Sequence, residues 1–182
     1  IVGGATRARY SWAAFLWTGK HKSKDIDIIV GHDALSGLKQ RQALTKNEKL
    51  RKYEIKRGDV DIDLYTPFFS KLVIPPEDIV ETLHTRIKGI QTIQLEALLV
   101  LKQAAHLDRR GSIKGKKDEI DIATLLLYAE PDWMQYQALL EKYNKKEFAR
   151  LLLELIKNID LRDLDYLAID FKEFKAWQKK QL

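Results

Sequence analysis

Apolar residues alternate with polar ones over short stretches of the first half of the chain, and recur every three to four positions through the second half. Ile1-Val2 reads as the end of a strand running into Gly3-Gly4, and residues 5–17 read as an Ala- and aromatic-rich helix. Residues 25–30 (DIDIIV) form a β-branched run that ends at Gly31, the signature of a short strand. A helix is expected over 33–45 with Asp33 as its N-cap. Residues 53–57 and 60–65 alternate as two strands around Gly58, and Pro75-Pro76 breaks the chain before a short helix at 77–83. Residues 86–93 read as one further strand.

Beyond this point the pattern predicts helices alone, over 94–108, 117–129, 132–143, 145–157, 160–168 and 170–180. Gly111, Gly115, Pro131, Asn144 and Asn158 punctuate them. The expectation is an α+β chain: a mixed sheet with flanking helices over 1–93, then an all-helical domain over 94–182.

Bulk properties narrow the partners. With 182 residues, 45% hydrophobic and 32% charged, the chain can fill a core. No apolar run approaches the ~20 residues a membrane-spanning helix needs, so no membrane partner is expected. The absence of cysteine removes disulfides and thiol chemistry and fits a reducing cytoplasm. The chain starts at Ile1 rather than Met, so its natural N-terminus is expected to lie upstream. A net charge of +6, spread over Lys20–Lys24, Lys46–Arg57, Arg109–Lys117, Lys142–Lys146 and Lys172–Lys180, points toward an anionic partner or a solvated lysine surface.

The chemistry concentrates in the strands. Asp25 and Asp27 leave the same face of one strand, while Ile26 and Ile28 leave the other. Asp59, Asp61 and Asp63 alternate with Val60, Ile62 and Leu64 in the same way. Two carboxylates ~7 Å apart repel by roughly 2–3 kcal/mol at an effective dielectric of ~20. Divalent metal would relieve that repulsion. A single Asp-x-Asp is more often a solvent-facing strand position. Two such pairs behind a Gly-Gly favour a metal site.

Those residues carry a resemblance. Gly3-Gly4, a helix, then Lys24-Asp25-Ile26-Asp27-Ile28 resembles the polymerase-β-type nucleotidyltransferase superfamily, with an insertion over 12–22. The resemblance implies that Gly3 and Gly4 approach a triphosphate, that Asp25 and Asp27 hold metal, and that Asp61 or Asp63 is the third carboxylate. Residues 95–127 are similar to the helical region of the AbiEii-type branch, which includes toxins of toxin–antitoxin systems. That likeness implies that Lys102, Asp118 and Asp121 line the nucleotide site. It further implies two Mg²⁺ ions (or Mn²⁺), an NTP substrate, transfer of NMP to an acceptor hydroxyl, and a protein antitoxin as partner. RNA, tRNA in particular, is the favoured acceptor. The competing readings are an inert binding module on the same fold and a toxin component.

Helical spacing bears on Lys102 directly. Lys102, His106 and Arg109 share a face with Leu95, Leu98 and Leu99, so the stripe begins apolar and ends cationic. Asp118 and Asp121 share a face with Ile122 and Leu125. Such acids need a partner, and an interhelical Lys–Asp pair without a catalytic role is the alternative reading of Lys102. Other signals carry less. Ile1-Val2-Gly3-Gly4 imitates the start of a trypsin-like protease, but no Gly-Asp-Ser-Gly follows. His21, His32, His84 and His106 lack metal-ligand spacing, and Trp12, Trp17, Trp133 and Trp177 suit packing, Trp17 beside its lysines also suiting contact with nucleic acid.

Overall fold

The computed structural model describes residues 18–19, 25–58, 60–167 and 169–181. Gly3, Gly4, the helix expected over 5–17, Asp59 and the side chain of Asp25 lie outside the described residues.

Four strands form one mixed sheet in the order β1 (Asp25–Ile29), β4 (Val60–Tyr65), β3 (Lys52–Arg57), β2 (Thr45–Asn47). β1 runs parallel to β4, and the other two pairings are antiparallel. The period-two pattern then acts as a sorting device. Ile28, Val30, Ile55, Ile62 and Leu64 pack with Leu35 and Leu38 of α1 (His32–Arg41) on one face of the sheet. The aspartates take the other face.

Three details differ from the sequence expectations. α1 is capped by Gly31 with no side-chain cap, so Asp33 stands in the first turn and complements the helix dipole. The helix stops at Arg41, because residues 45–47 pair with β3 as β2. The turn that follows β2 is closed by Asn47, whose Oδ1 accepts from the Leu50 amide at 3.2 Å. Residues 86–93 are no single strand but the return of a hairpin, β5 (His84–Ile87) and β6 (Ile90–Ile93). Lys88 (φ 49°) and Gly89 (φ 77°) supply the two left-handed residues of a type I′ turn.

α2 (Pro76–Glu81) precedes the hairpin, and helices follow: α3 (Leu95–Asp108), α4 (Ile113–Tyr128), α5 (Trp133–Lys142), α6 (Glu147–Asn158), a 3₁₀ segment (Leu161–Leu167) and α7 (Phe171–Gln181). The α+β class and the helical second half agree with the sequence expectation. α4 starts four residues earlier than expected. Ser112 caps it, accepting from the Gly115 amide at 3.0 Å, and Gly115 lies inside the helix instead of ending one. Within the 160–168 stretch, Leu161–Leu167 form a 3₁₀ helix rather than an α-helix.

The largest core is continuous across both halves of the chain. Ile29 and Tyr65 at the ends of β1 and β4 join Ile74, Ile93, Leu98, Leu99, Ile122, Leu125 and Tyr136. α3 and α4 form an antiparallel hairpin in its middle, linked by residues 109–112. Gly115 allows their close approach: a Cβ there would sit 2.2 Å from the Arg109 carbonyl oxygen. Gly115→Ala is therefore expected to push the helix start away and lower stability by roughly 2 kcal/mol. Urea denaturation measures this, and an unchanged midpoint would contradict the close approach.

Candidate active site

Register brings the acidic residues of two strands together. Asp25 is the Cα partner of Asp61, and Asp27 of Asp63, across the parallel β1–β4 pair. On the other side of β4, Asp63 faces Glu54 and Asp61 faces Lys56. Asp27, Asp61, Asp63 and Glu54 therefore share the sheet face that does not pack on α1. Asp61 is exposed, whereas Asp27 and Asp63 are half-buried. Asp27 and Asp63 are the pair drawn toward the helices.

Two neighbours on the same face hold that pair. Tyr65 continues the alternation of Asp61 and Asp63 and is buried. Burial pushes its hydroxyl far above the usual tyrosine range, the charges of Asp27 and Asp63 push it further, and it donates a hydrogen bond to Asp27. Lys52, 8% exposed, forms an ion pair with Asp63 and lies 3.3 Å from Glu54 Oε1. Its ammonium also stands 5.8 Å from the centre of the Tyr65 ring. Burial raises the Glu54 carboxyl, but the Asn47 hydrogen bond and the Lys52 charge outweigh it and leave it below the usual value.

The helical hairpin supplies the opposing charge. Lys102 Nζ donates to Asp121 Oδ2 at 2.5 Å. Arg109 grips Asp118 with two hydrogen bonds, 2.8 Å from Nε and 2.7 Å from Nη2. Asp118 and Asp121 are 2% and 1% exposed, so the acids are buried and the cations reach outward. Burial lowers the Lys102 ammonium, but the charge and hydrogen bond of Asp121, with Asp27 and Asp118 behind them, more than offset it. Its proton is held more tightly than an ordinary lysine's. Asp27 on β1 thus acts electrostatically on Lys102 of α3. The acidic face of the sheet looks toward the cationic end of the α3–α4 hairpin.

Of the residues singled out in the sequence, Asp27, Asp63, Lys102, Asp118 and Asp121 belong to this connected group, and Asp61 flanks it. Gly3 and Gly4 lie outside the described residues. Lys52, Glu54, Tyr65 and the Arg109–Asp118 grip were not anticipated. The period-two continuation from Asp63 could have suggested Tyr65. Lys52 has no comparable local signal, because it depends on the β3–β4 register. A pocket of about 350 Å³ lies beside the hairpin, lined in part by His106, Gly115, Lys116 and Leu151. His106 Nδ1 lies 2.9 Å from the Gly115 carbonyl oxygen, which fixes that nitrogen as the donor.

All-oxygen donors of this kind suit a hard divalent cation such as Mg²⁺. Among the described residues no three His, Asp or Glu side chains come close enough to hold a metal ion, Asp25 standing outside that group. Among the described residues no helix is long and apolar enough to cross a membrane.

No family model matches the chain. No curated protein matches it either. Among solved structures it is similar to JHP933 from Helicobacter pylori, at 15% identity and a TM-score of 0.50, over 96% of this chain and 82% of that one. This is a likeness of fold that runs nearly from end to end. An antigenic nucleotidyltransferase-like protein from Paracoccidioides brasiliensis aligns at 17% identity and a TM-score of 0.44, over 81% of this chain and 84% of that one.

Two tests follow from the geometry. Lys102→Met leaves Asp121 buried without its ammonium and should cost ~3 kcal/mol, most of it recovered when Asp121→Leu is added. Denaturant titration of the single and double variants measures the coupling. Alkaline pH probes Tyr65. The folded chain keeps that proton above the ordinary tyrosine value of 10.0, where the unfolded chain loses it. The unfolded state then binds fewer protons, so stability falls as pH rises past the ordinary value. Tyr65→Phe should flatten this slope, measured as the urea midpoint over a pH series from about 8 to 11.

Proposed function

We propose that the chain is a nucleotidyltransferase that takes an NTP with divalent metal on its acidic sheet face and transfers NMP to an acceptor hydroxyl. The observation that carries this reading is the register of Asp27 against Asp63 on parallel neighbouring strands, facing a lysine that senses Asp27. In the reaction an acceptor oxygen bonds to the α-phosphorus, the bond to the bridging oxygen of the β-phosphate breaks, and pyrophosphate leaves. The acceptor proton passes to a carboxylate of β4, Asp61 or Asp63. Mg²⁺, or Mn²⁺ in its place, supplies charge neutralisation on the triphosphate when bound.

The chain's own residues do the positioning. Asp25 and Asp27 hold the metal–nucleotide complex, and the Tyr65 hydroxyl fixes the orientation of the Asp27 carboxylate. Lys102, anchored by Asp121, offers positive charge to phosphate oxygens as negative charge builds on the leaving group. Asp118 and Asp121 serve through their cations. Gly3 and Gly4 belong to the triphosphate loop in this reading. The basic balance of the chain favours RNA, tRNA in particular, as acceptor and a cytoplasmic setting. Growth arrest by expression, with a protein antitoxin as partner, is the toxin form of the same activity.

A second reading has its own support. Lys52, Lys102 and Arg109 are each already paired with a carboxylate. A scaffold that binds nucleotide or RNA without transferring it needs no more than this. The two readings part on one experiment. Mg²⁺ and NTP together should raise the melting temperature more than either alone, and Asp27→Asn should abolish that synergy. The label of an α-³²P NTP should then appear on RNA with the wild-type chain and not with the variant. Synergy without label transfer would select the scaffold, and synergy retained by Asp27→Asn would refute the site.

A further inference from the structure

Among the described residues, the least exposed cation on the acidic sheet face is a lysine of the sheet itself. Lys52 begins β3, and the antiparallel register carries it one step past the Tyr53–Leu64 pair, beside Tyr65. Its ammonium pairs with Asp63 and lies 3.3 Å from Glu54. Beneath it is the Tyr65 ring, whose hydroxyl binds Asp27. The residue is only 8% exposed, and its ammonium lies between two strands' carboxylates rather than at their rim. Lys102 differs. Its partner Asp121 is a helical residue, and Asp27 of the sheet acts on it through charge.

From this we infer that Lys52 is a built-in cation that holds Asp63, so that the site takes one divalent ion in place of two. The inference rests on the nucleotidyltransferase reading and changes what β4 contributes to it. A two-ion site asks the third carboxylate to share itself between metal and strand. Here that carboxylate is engaged by a charge fixed to the backbone. A second divalent ion at Asp63 would approach an ammonium that cannot withdraw into solvent, because its stem is packed. It would have to displace Lys52 from Asp63, breaking a largely buried ion pair and leaving the ammonium to Glu54. A monovalent cation fixed in the fold is cheaper in entropy than a recruited ion, since no free particle is ordered. Lys52 is thus a positioning residue. It sets the charge and orientation of Asp63, and Glu54 helps to hold it in place.

The test counts ions on the full chain. Free Mn²⁺ is titrated by electron paramagnetic resonance in the presence of an α,β-methylene NTP analogue, for wild type, Lys52→Met, Lys52→Arg and Asp27→Asn. Wild type and Lys52→Arg should bind one Mn²⁺ per chain, Lys52→Met two, the second at least ten-fold tighter than any second site of wild type. Asp27→Asn should lose the first ion. Circular dichroism confirms folding of each variant, and if the Met variant does not fold, the wild-type and Arg counts decide. Two ions on wild type, or a Met variant with unchanged count and affinity, overturns the inference and leaves the nucleotidyltransferase reading standing. No ion on any folded variant, Lys52→Met included, overturns both.

Discussion

Negative charge removed from water is the constraint around which this molecule is arranged. Asp118 and Asp121 are almost wholly enclosed on α4, and Asp63 is half-enclosed on β4. An isolated carboxylate in such surroundings would take up a proton or forbid the packing. Each instead meets a cation at contact distance: Arg109, Lys102 and Lys52. The pairs differ in character. Arg109 and Asp118 form a planar fork in which both oxygens are used, and this fixes the angle between helices as well as the charge. Lysine is a point charge on a flexible stem, so Lys102 and Lys52 fix position more than angle.

The same residues join the two halves of the chain. Tyr65 is half core and half site: its ring belongs to the large apolar cluster, and its hydroxyl reaches Asp27. α3 behaves alike, with Leu98 and Leu99 in the core and Lys102 and Arg109 at its far end. The acidic sheet face therefore cannot shift relative to the helical hairpin without disturbing both the apolar packing and the attraction between Asp27 and Lys102. Such over-determination is what a site needs if charges are to be held in place before a ligand arrives.

What could be read in advance follows the range of the interactions. β1, β3, β4 and the long helices announce themselves by local periodicity, and the alternation of Asp61 and Asp63 with Ile62 and Leu64 is visible within four residues. β2 is too short for a period to register, and it exists because β3 offers it an edge. The β5–β6 hairpin was hidden by Lys88, a residue seldom found left-handed, at the first turn position. The start of α4 was hidden by a glycine that serves close packing rather than a helix end. At the site, the acids were legible and most of their partners were not. Lys52 lies 11 residues from Asp63 and Lys102 lies 19 from Asp121, so each pairing depends on register and helix docking.

The placement of β1 has a consequence for how the molecule assembles. Among the described residues β1 pairs with β4 alone, at the margin of the sheet, and that pairing spans 36 residues, from Asp25 to Asp61. The β3–β4 hairpin and the α3–α4 hairpin, by contrast, close short loops. Since the entropy of closing a loop grows with its length, local hairpins have the advantage and the long crossover is the later event. The strand that carries Asp25 and Asp27 is then among the last pieces to dock. Until it does, β4 presents Asp61 and Asp63 beside Lys52 without the acids of β1, so the acidic face of the sheet is completed only with the fold.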